Sequence, residues 1–161
     1  MKARPASSKA AFRLRDYRPV DFDSLCEIDA TVFEPPIAYS RPDMRAFLNR
    51  EGAECVVAEA AQATASVVGF CITERKAAEA YIVTIDVLEP FRKRGVGGAL
   101  LGEAEKRLVA KGVRNIALDT AVDNTSAISF WERHGYRKIG VRKGYYPNGL
   151  DAFAMTKPLA P

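Results

Sequence analysis

A short basic turn runs directly into a glycine-rich helix start in the middle of the chain. The turn carries Arg92, Lys93 and Arg94, and Gly95 and Gly97 follow it. Exposed backbone N–H groups in the first turn of a helix bind anions, and the helix dipole adds to the attraction. Glycine lets a phosphate group approach the backbone closely. The segment therefore predicts a site for a phosphate-bearing ligand, although a capped surface helix after a basic turn would explain the same residues.

The glycine spacing argues against two common nucleotide-binding motifs. The segment does not match G-x-x-x-x-G-K-[ST], and Leu100 occupies the third glycine position of G-x-G-x-x-G counted from Gly95. A P-loop nucleotide triphosphatase and a dinucleotide-binding Rossmann domain are therefore disfavoured.

Two motifs carry a resemblance to a known family. Arg92-x-x-Gly95-x-Gly97 after a Val/Ile-containing strand resembles R/Q-x-x-G-x-G/A, the acetyl-CoA pyrophosphate motif of the GNAT superfamily of N-acetyltransferases. The segment from Asn124 to Tyr136 is similar to the later family motif N-x-x-A-x-x-x-Y-x-x-x-G-F/Y. With the strand order, the resemblance covers residues 12 to 159 and implies acetyl-CoA as co-substrate. The residues that it assigns to cofactor binding are Ile85, Val87, Arg92, Lys93, Arg94, Gly95, Val96, Gly97, Gly98, Ala99, Asn124 and Ser126.

The C-terminal part resembles one branch of that superfamily. Lys143 to Met155 is similar to K/R-x-Y-Y-x-x-x-x-D-A-x-x-M, the hairpin of RimI-like protein N-terminal acetyltransferases. In that branch the two tyrosines hold the backbone of the substrate's N-terminus, which implies a protein or peptide N-terminus as partner. Simple packing of a hairpin is the alternative explanation. The substrate-binding residues implied are Tyr145 and Tyr146, with Phe33, Ile37 and Tyr39 from a Pro-Pro loop that loosely resembles the branch's first-residue pocket.

Three residues stand where the resemblance expects catalytic groups. Tyr81 and Asp119 fall at positions for amine deprotonation, and a half-buried strand aromatic and a strand-end hydrogen-bonding group are the plain alternatives. An α-amine titrates near 8, so a mild base acting directly or through water suffices. Trp131 departs from the usual Tyr that protonates the leaving thiolate, and an indole N–H donates a hydrogen bond without releasing its proton. The proton for the departing thiolate would then come from solvent or Tyr136, and Trp131 would supply at most a hydrogen bond.

Three other functions compete with N-terminal acetylation. A GNAT enzyme could acetylate a small-molecule amine or a lysine instead. The missing Tyr at position 131 leaves open a CoA-binding module without turnover. A nucleic-acid-binding protein would rest only on the net charge of +4, and the basic residues are scattered.

The elements that must position these residues follow the order β-α-α-β-β-β-α-β-α-β-β. Helix periodicity and turn residues place Asp21 as the cap of the first helix, and Gly112 at the end of the third. The pattern predicts a mixed α/β fold around one sheet with helices on both faces, and the resemblance implies that this is the GNAT fold, with a single mixed central sheet of about seven strands. The predicted helices span about 22–33, 42–50, 95–111 and 125–134, and the strands after the first span about 54–60, 66–73, 79–88, 115–120, 136–143 and 151–157.

Length and composition fit one domain. The chain has 161 residues, of which 48% are hydrophobic and 27% charged, which fits a single globular domain. Residues 1–10 are rich in Ser, Ala and Lys and are expected to form a flexible tail, and the resemblance implies that 11–161 form a single acetyltransferase domain. With three cysteines and one histidine, neither a metal site nor a disulfide framework is expected. The chain also lacks an apolar run of about 20 residues. The expected location is the cytoplasm, without nucleic-acid or membrane partners, and the oligomeric state is left open.

Overall fold

Seven strands form one sheet in the computed structural model, which describes residues 12–61 and 66–160. The predicted flexible tail at 1–10 lies outside the described residues. The elements are β1 (Phe12–Asp16), α1 (Phe22–Val32), α2 (Arg41–Asn49), β2 (Ala53–Ala60), β3 (Ser66–Lys76), β4 (Glu79–Val87), α3 (Val96–Ala110), β5 (Asn115–Ala121), α4 (Thr125–Arg133), β6 (Arg137–Arg142) and β7 (Ala152–Pro158). Short 3-10 turns at Pro19–Asp21 and Glu89–Phe91 precede α1 and α3. The predicted α/β fold is confirmed.

The strand order across the sheet is β1-β2-β3-β4-β5-β7-β6. Neighbours are antiparallel except β4 and β5, which are parallel and joined by the α3 crossover. Strand β7 inserts between β5 and β6, so the β6–β7 hairpin emerges beside the end of β5. This order brings the hairpin next to the parallel pair in the middle of the sheet.

The two faces of the sheet carry separate apolar cores. On one side, here called the α1 face, α1 and α2 bury Leu25 and Met44 completely. On the other side, the α3 face, α3 buries Val96, Leu100 and Leu108 at helical spacing, as the sequence predicts. Helix α4 also packs on the α3 face. Helices on both faces leave the ends of the central strands as the accessible part of the sheet.

Strand β4 contains one extra residue relative to β3. The register between the two strands skips Val83, which forms a β-bulge. Ala80 and Ile82 before the bulge pack on the α3 face, and so do Ile85 and Val87 after it. Two even and two odd positions share one face only because the extra residue reverses the alternation of side chains.

The predicted capping of α1 by Asp21 is wrong. The Asp21 carboxylate accepts hydrogen bonds from the backbone N–H of Arg18 at 2.8 Å and from the guanidinium of Arg15 at 2.8 and 2.9 Å. No side-chain bond caps α1 in the described residues. The charged Arg15 fork and the 3-10 turn compete for the carboxylate, and charge-assisted bonds are the stronger ones. Gly112, with φ of +85°, ends α3 as predicted.

Candidate active site

The parallel strands β4 and β5 separate soon after they begin. They pair only over Glu79–Tyr81 and Asn115–Ala117, although β4 has nine residues and β5 has seven. Past these pairs the facing edges of the described strands have no strand partner. Unpaired backbone N–H and C=O groups seek other partners. The wedge-shaped gap between the strands therefore offers a ligand both donors and acceptors at the centre of the sheet.

The first turn of α3 lies after the C-terminal end of β4. Its N-cap, Gly95, has φ of +83°, and Lys93 also has a positive φ of +59°. No side chain caps this end, and the first turn contains no acidic residue. Left-handed residues in such a turn curl the chain so that backbone N–H groups form an anion-binding concavity. The Arg92 guanidinium donates from Nε to the carbonyl of Val87 at 3.0 Å and fixes the turn to the strand. These residues fit a pyrophosphate.

Two of the glycines in this motif also serve helix packing. A Cβ at Gly97 would lie 3.2 Å from the Phe130 ring, and one at Gly98 would lie 3.2 Å from Nε2 of His134. Both aromatic residues belong to the end of α4, where their rings lie 4.4 Å apart. Gly95, by contrast, has nothing within 4 Å of its Cβ position, and its positive φ is what requires glycine. The motif thus combines an anion cradle with close contact between α3 and α4.

A hydrogen-bonded network joins β4, β5 and the hairpin at the start of the gap. The Tyr81 hydroxyl donates to Oδ2 of Asp119 at 2.8 Å, and the hydroxyl oxygens of Tyr81 and Tyr145 lie 3.2 Å apart. Arg142 donates from Nε to the other carboxylate oxygen of Asp119 at 2.7 Å. The Asp119 side chain is only 5% exposed. The structure therefore brings together two of the predicted catalytic residues and one predicted substrate residue.

The environment of Tyr81 fixes its protonation. Burial raises the pKa of its phenol well above the usual value near 10, and the hydrogen bonds with Tyr145 and Asp119 raise it further. The phenol accordingly holds its proton through the physiological range and acts as a donor. In this network Asp119 is the group able to accept a proton, either directly from a donor or through the Tyr81 hydroxyl.

The β6–β7 hairpin loop places the two adjacent tyrosines. The backbone N–H of Gly144 donates to the Asp151 carboxylate at 2.8 Å, and the Lys143 ammonium lies 3.2 Å from it. The rings of Tyr145 and Tyr146 meet edge to face at 5.0 Å. Burial, followed by the neighbouring Tyr145, raises the pKa of Tyr146 to about 12. The Tyr146 phenol is therefore a hydrogen-bond donor, and it lies beside the Tyr145 hydroxyl that contacts Tyr81.

The loop between α1 and α2 lies on the α1 face, near the bulge in β4. Tyr39 donates its hydroxyl to the carbonyl of Val83 at 3.3 Å, and its ring packs edge to face on Phe47 at 4.7 Å. Phe33 and Ile37 in the same loop are half-buried. Val83 has no partner in β3, so its carbonyl is free to accept this bond. The predicted substrate loop is thus anchored to β4.

Other predicted residues have structural roles in the described residues. Trp131 is buried in the α3-face core, 5.2 Å from the ring of Tyr136, and its indole has no hydrogen-bond partner among the described residues. The Tyr136 hydroxyl donates to Glu105 at 2.9 Å. Asn124 caps α4 by accepting from the N–H of Ala127 at 3.1 Å. Ser126 is exposed on the first turn of α4.

Sequence reasoning did not assign a role to Arg142 or Asp151. The hairpin motif contains the Asp151 position, so its function as an anchor could have been inferred from the pattern. No sequence signal places the Arg142 guanidinium on Asp119, because that contact depends on how β6 pairs with β7.

In the part of the chain that the structure describes, no helix has the length and apolar character needed to cross a membrane.

A split parallel pair, an uncapped glycine helix start and a buried tyrosine–carboxylate network together make up the candidate site of this fold. The model of the acetyltransferase (GNAT) family matches residues 22–136. The chain therefore belongs to the GNAT acetyltransferase family.

Curated relatives and a solved structure point to one branch of this family. An N-alpha-acetyltransferase from Sulfolobus acidocaldarius is 40% identical over 80 residues, which are 49% of this chain and 48% of that protein. The [ribosomal protein bS18]-alanine N-acetyltransferase of Salmonella typhimurium is 32% identical over 56% of this chain and 64% of its own. The Ard1 structure from Thermoplasma volcanium superposes with a TM-score of 0.85 at 25% identity, covering 94% of this chain and 99% of that one. The chain spans about half the length of the first relative that it matches. The predicted resemblance to the RimI-like branch is confirmed.

Proposed function

We propose that the protein is an acetyl-CoA-dependent N-acetyltransferase whose acceptor is the α-amine at the N-terminus of a protein or peptide. The observation that carries this proposal is the bonded set of Tyr81, Asp119 and Tyr145 in the gap between β4 and β5. It joins a proton acceptor to a phenol on the hairpin whose family counterpart holds a peptide backbone. Family membership and the named relatives support the same activity.

The residues that would hold the co-substrate lie at the start of α3 and along the open edge of β4. The backbone N–H groups after Gly95, with Arg92, Lys93 and Arg94 beside them, suit the pyrophosphate. Acetyl-CoA supplies an activated thioester that an amine can attack. The unpaired N–H groups of β4 near Val87 can donate to the thioester oxygen as negative charge develops on it.

The acceptor side lies around Tyr81 and Asp119. Side chains at Ile116 and Leu118 face the α3 core, so Asp119 faces the opposite side of β5. We assign Asp119 as the proton acceptor and Tyr81 as the group that passes the proton to it. The amine proton moves to the Tyr81 oxygen while the phenol proton moves to Oδ2 of Asp119. The pair therefore gains one proton, and its net charge rises by one. An α-amine needs only this mild assistance, because it is partly neutral at pH 7.

The proton for the departing thiolate is assigned to solvent. Trp131 is enclosed in the core, and the hydroxyl of Tyr136 is held by Glu105. Neither side chain is therefore given the role of the usual tyrosine acid. Arg142, which holds Asp119 from the side opposite Tyr81, is a positioning residue that keeps the carboxylate aimed at the phenol.

We further place the protein in the cytoplasm, without nucleic-acid or membrane partners. All three cysteines, Cys26, Cys55 and Cys71, are free thiols, which supports a reducing compartment. The oligomeric state is not part of the proposal.

A peptide acetylation assay tests the proposed function. One set of peptides has a free N-terminus and an internal lysine, and a matched set is blocked at the α-amine. Mass spectrometry should find one acetyl group on the free peptides and almost none on the blocked ones. Equal reaction of blocked peptides would identify a lysine acetyltransferase, and faster reaction of small amines would identify a small-molecule enzyme. Stabilisation by acetyl-CoA without transfer to any amine would identify a binding module.

A further inference from the structure

Two aspartates meet in the buried interface between α1 and β4. Asp29 of α1 and Asp86 of β4 are both 0% exposed. Neither belongs to the hydrogen-bonded network of Tyr81 and Asp119. Ionised carboxylates are among the side chains least often buried unless a cation or a proton neutralises them.

Each carboxyl group has one oxygen with an outside donor and one without. Oδ2 of Asp29 accepts the backbone N–H of Tyr39 at 2.6 Å, and Oδ1 of Asp86 accepts the Thr84 hydroxyl at 2.5 Å. The two remaining oxygens, Oδ1 of Asp29 and Oδ2 of Asp86, have no donor among the described residues. Helix α1 packs on β4 here, and each carboxyl group is close enough to shift the pKa of the other. A single proton placed between them would satisfy both orphaned oxygens.

Among the residues that the structure describes, no buried positive charge lies next to the pair. The charged group that acts on Asp86 is the guanidinium of Arg92, which is exposed and bonded to Val87. The other titratable groups near the pair on the α1 face are neutral: the Tyr39 phenol and the thiols of Cys26 and Cys55, whose pKa values burial raises. The Cys71 thiol, whose pKa burial raises to about 12, lies on the opposite face of the sheet. Two adjacent carboxylates without a counterion repel strongly, so only one of them ionises.

We propose that Asp86 is a protonated carboxylic acid that donates from Oδ2 to Oδ1 of an ionised Asp29, and that this one-proton bond positions the α1–α2 loop for the acceptor. Both oxygens of Asp29 then accept a hydrogen bond. Both oxygens of Asp86 also have a partner, because Oδ1 accepts from Thr84 and Oδ2 donates to Asp29. Through the Tyr39 N–H, the charged Asp29 fixes the loop segment whose hydroxyl reaches Val83 beside the bulge. Asp29 and Asp86 are positioning residues, and their effect on acceptor binding rests on the proposed function.

The shared proton links folding to pH. Burial and contact with Asp29 raise the pKa of Asp86 above the value near 3.8 that it has in the unfolded chain. Above about pH 4 the folded protein therefore keeps a proton that the unfolded chain releases. The unfolding equilibrium constant should rise tenfold per pH unit from this group, until the folded-state pKa is passed, and then stay level. Stability conferred by the pair is thus lost as pH rises.

Counting protons released on unfolding tests the pair without any enzymatic assay. Asp86→Asn keeps an N–H donor toward Asp29 and a carbonyl acceptor for Thr84, but it has no proton to release. At about pH 6 the wild-type chain should release one more proton on unfolding than this variant. Asp23→Asn on the exposed side of α1 is the matched control and should release as many as wild type. Equal release by wild type and Asp86→Asn would overturn the shared proton.

Amide exchange and steady-state kinetics test the positioning role. Asp29→Ala removes the acceptor of the Tyr39 N–H, so exchange across residues 33–40 should accelerate while Asp86→Asn leaves it slow. The KM for a free-N-terminus peptide should rise roughly 10-fold in Asp29→Ala, the lower end for losing a hydrogen bond to a charged group, with acetyl-CoA affinity unchanged. A folded Asp29→Ala with slow exchange would overturn the positioning role.

A second variant covers the case in which Asp29→Ala does not fold. Asp29→Asn retains a neutral acceptor for Tyr39, so exchange in the loop should accelerate less than in Asp29→Ala. Burial alone keeps Asp86 protonated in this variant, so the extra proton release on unfolding should persist, in contrast to Asp86→Asn. Loop exchange as slow as in the wild type would refute the positioning role of the Asp29 charge, and loss of the extra proton release would refute the assignment of the proton to Asp86. If no peptide is acetylated at all, the proposed function has failed, while exchange and proton release still decide the pair.

Discussion

The relay from Tyr81 to Asp119 predicts a particular pattern in a double-mutant cycle. Tyr81→Phe removes the hydroxyl that lies 2.8 Å from Oδ2 of Asp119, and Asp119→Asn removes the acceptor. If the two groups pass one proton in sequence, either change breaks the same path. The second change should then cost little once the first has been made.

The structure sets the size of each effect. Tyr81→Phe leaves Oδ2 of Asp119 without its donor, while Oδ1 keeps Arg142 at 2.7 Å. Because the Asp119 side chain is 5% exposed, water replaces the lost donor poorly, and the free energy of unfolding should fall by about 1–3 kcal/mol. Loss of general-base assistance should lower kcat by about 10²–10⁴-fold in each single variant. Independent roles would multiply to roughly 10⁴–10⁸-fold in the double variant, whereas one relay predicts about 10²–10⁴-fold again.

The assay is the initial rate of peptide acetylation at saturating acetyl-CoA, with acetyl-CoA binding measured separately by titration. Tyr17→Phe is the matched control, since that half-buried phenol has no side-chain hydrogen bond in the described residues and lies away from the network. It should keep the wild-type kcat. Multiplicative losses in the double variant would refute the single relay. Near-wild-type activity of both single variants would show that positioning of the free amine accounts for the rate.

Three further outcomes are expected. The kcat/KM for peptides should rise with pH as the α-amine loses its proton near about 7.7–8.0 and then stay level, because the raised pKa keeps the Tyr81 phenol protonated; a pH-rate profile with a decline just above this range would contradict that account. Tyr145→Phe and Tyr146→Phe should raise the peptide KM by roughly 2- to 13-fold and leave small amines unaffected, and parallel steady-state assays that show equal effects on both would exclude a backbone clamp. Gly95→Ala, at φ of +83°, should lower the free energy of unfolding by about 1–2 kcal/mol, while Gly102→Ala inside the same helix, with open space at its Cβ, should raise it by about 0.5–1 kcal/mol; urea denaturation distinguishes the two.

The sequence allowed the fold to be predicted because its signals are local. Helix α3 was identifiable from apolar residues at i+4 spacing and from Gly112 at its end, and both features appear as expected. The cap of α1 was not, because Asp21 meets Arg15 only after β1 and the 3-10 turn have folded together. Local propensity has no information on that competition.

The candidate site could be predicted only in part, because only some of its signals are local in the sequence. Tyr81 and Asp119 could be singled out by their positions near the motifs, but their contact depends on the parallel register of β4 and β5. Arg142 and Asp119 are 23 positions apart in the chain, and Asp29 and Asp86 are 57 positions apart. Each pair joins residues of separate elements, so no pattern in the chain signals either contact. Long-range pairing, rather than composition, decides these contacts.

The bulge at Val83 gives strand β4 two halves in opposite phase. Tyr81 in the first half and Asp86 in the second lie on the same side of the sheet, although an uninterrupted strand would turn odd and even positions to opposite sides. Deleting this one residue would restore the regular alternation of side chains along β4. The side chains of one half, either the half with Tyr81 or the half with Asp86, would stay in place, and those of the other half would turn to the opposite face of the sheet. A chimera that exchanges one half of β4 with a relative must therefore carry the extra residue with it. The proposed acceptor side around Tyr81 could then be varied while the turn after Val87 keeps its position.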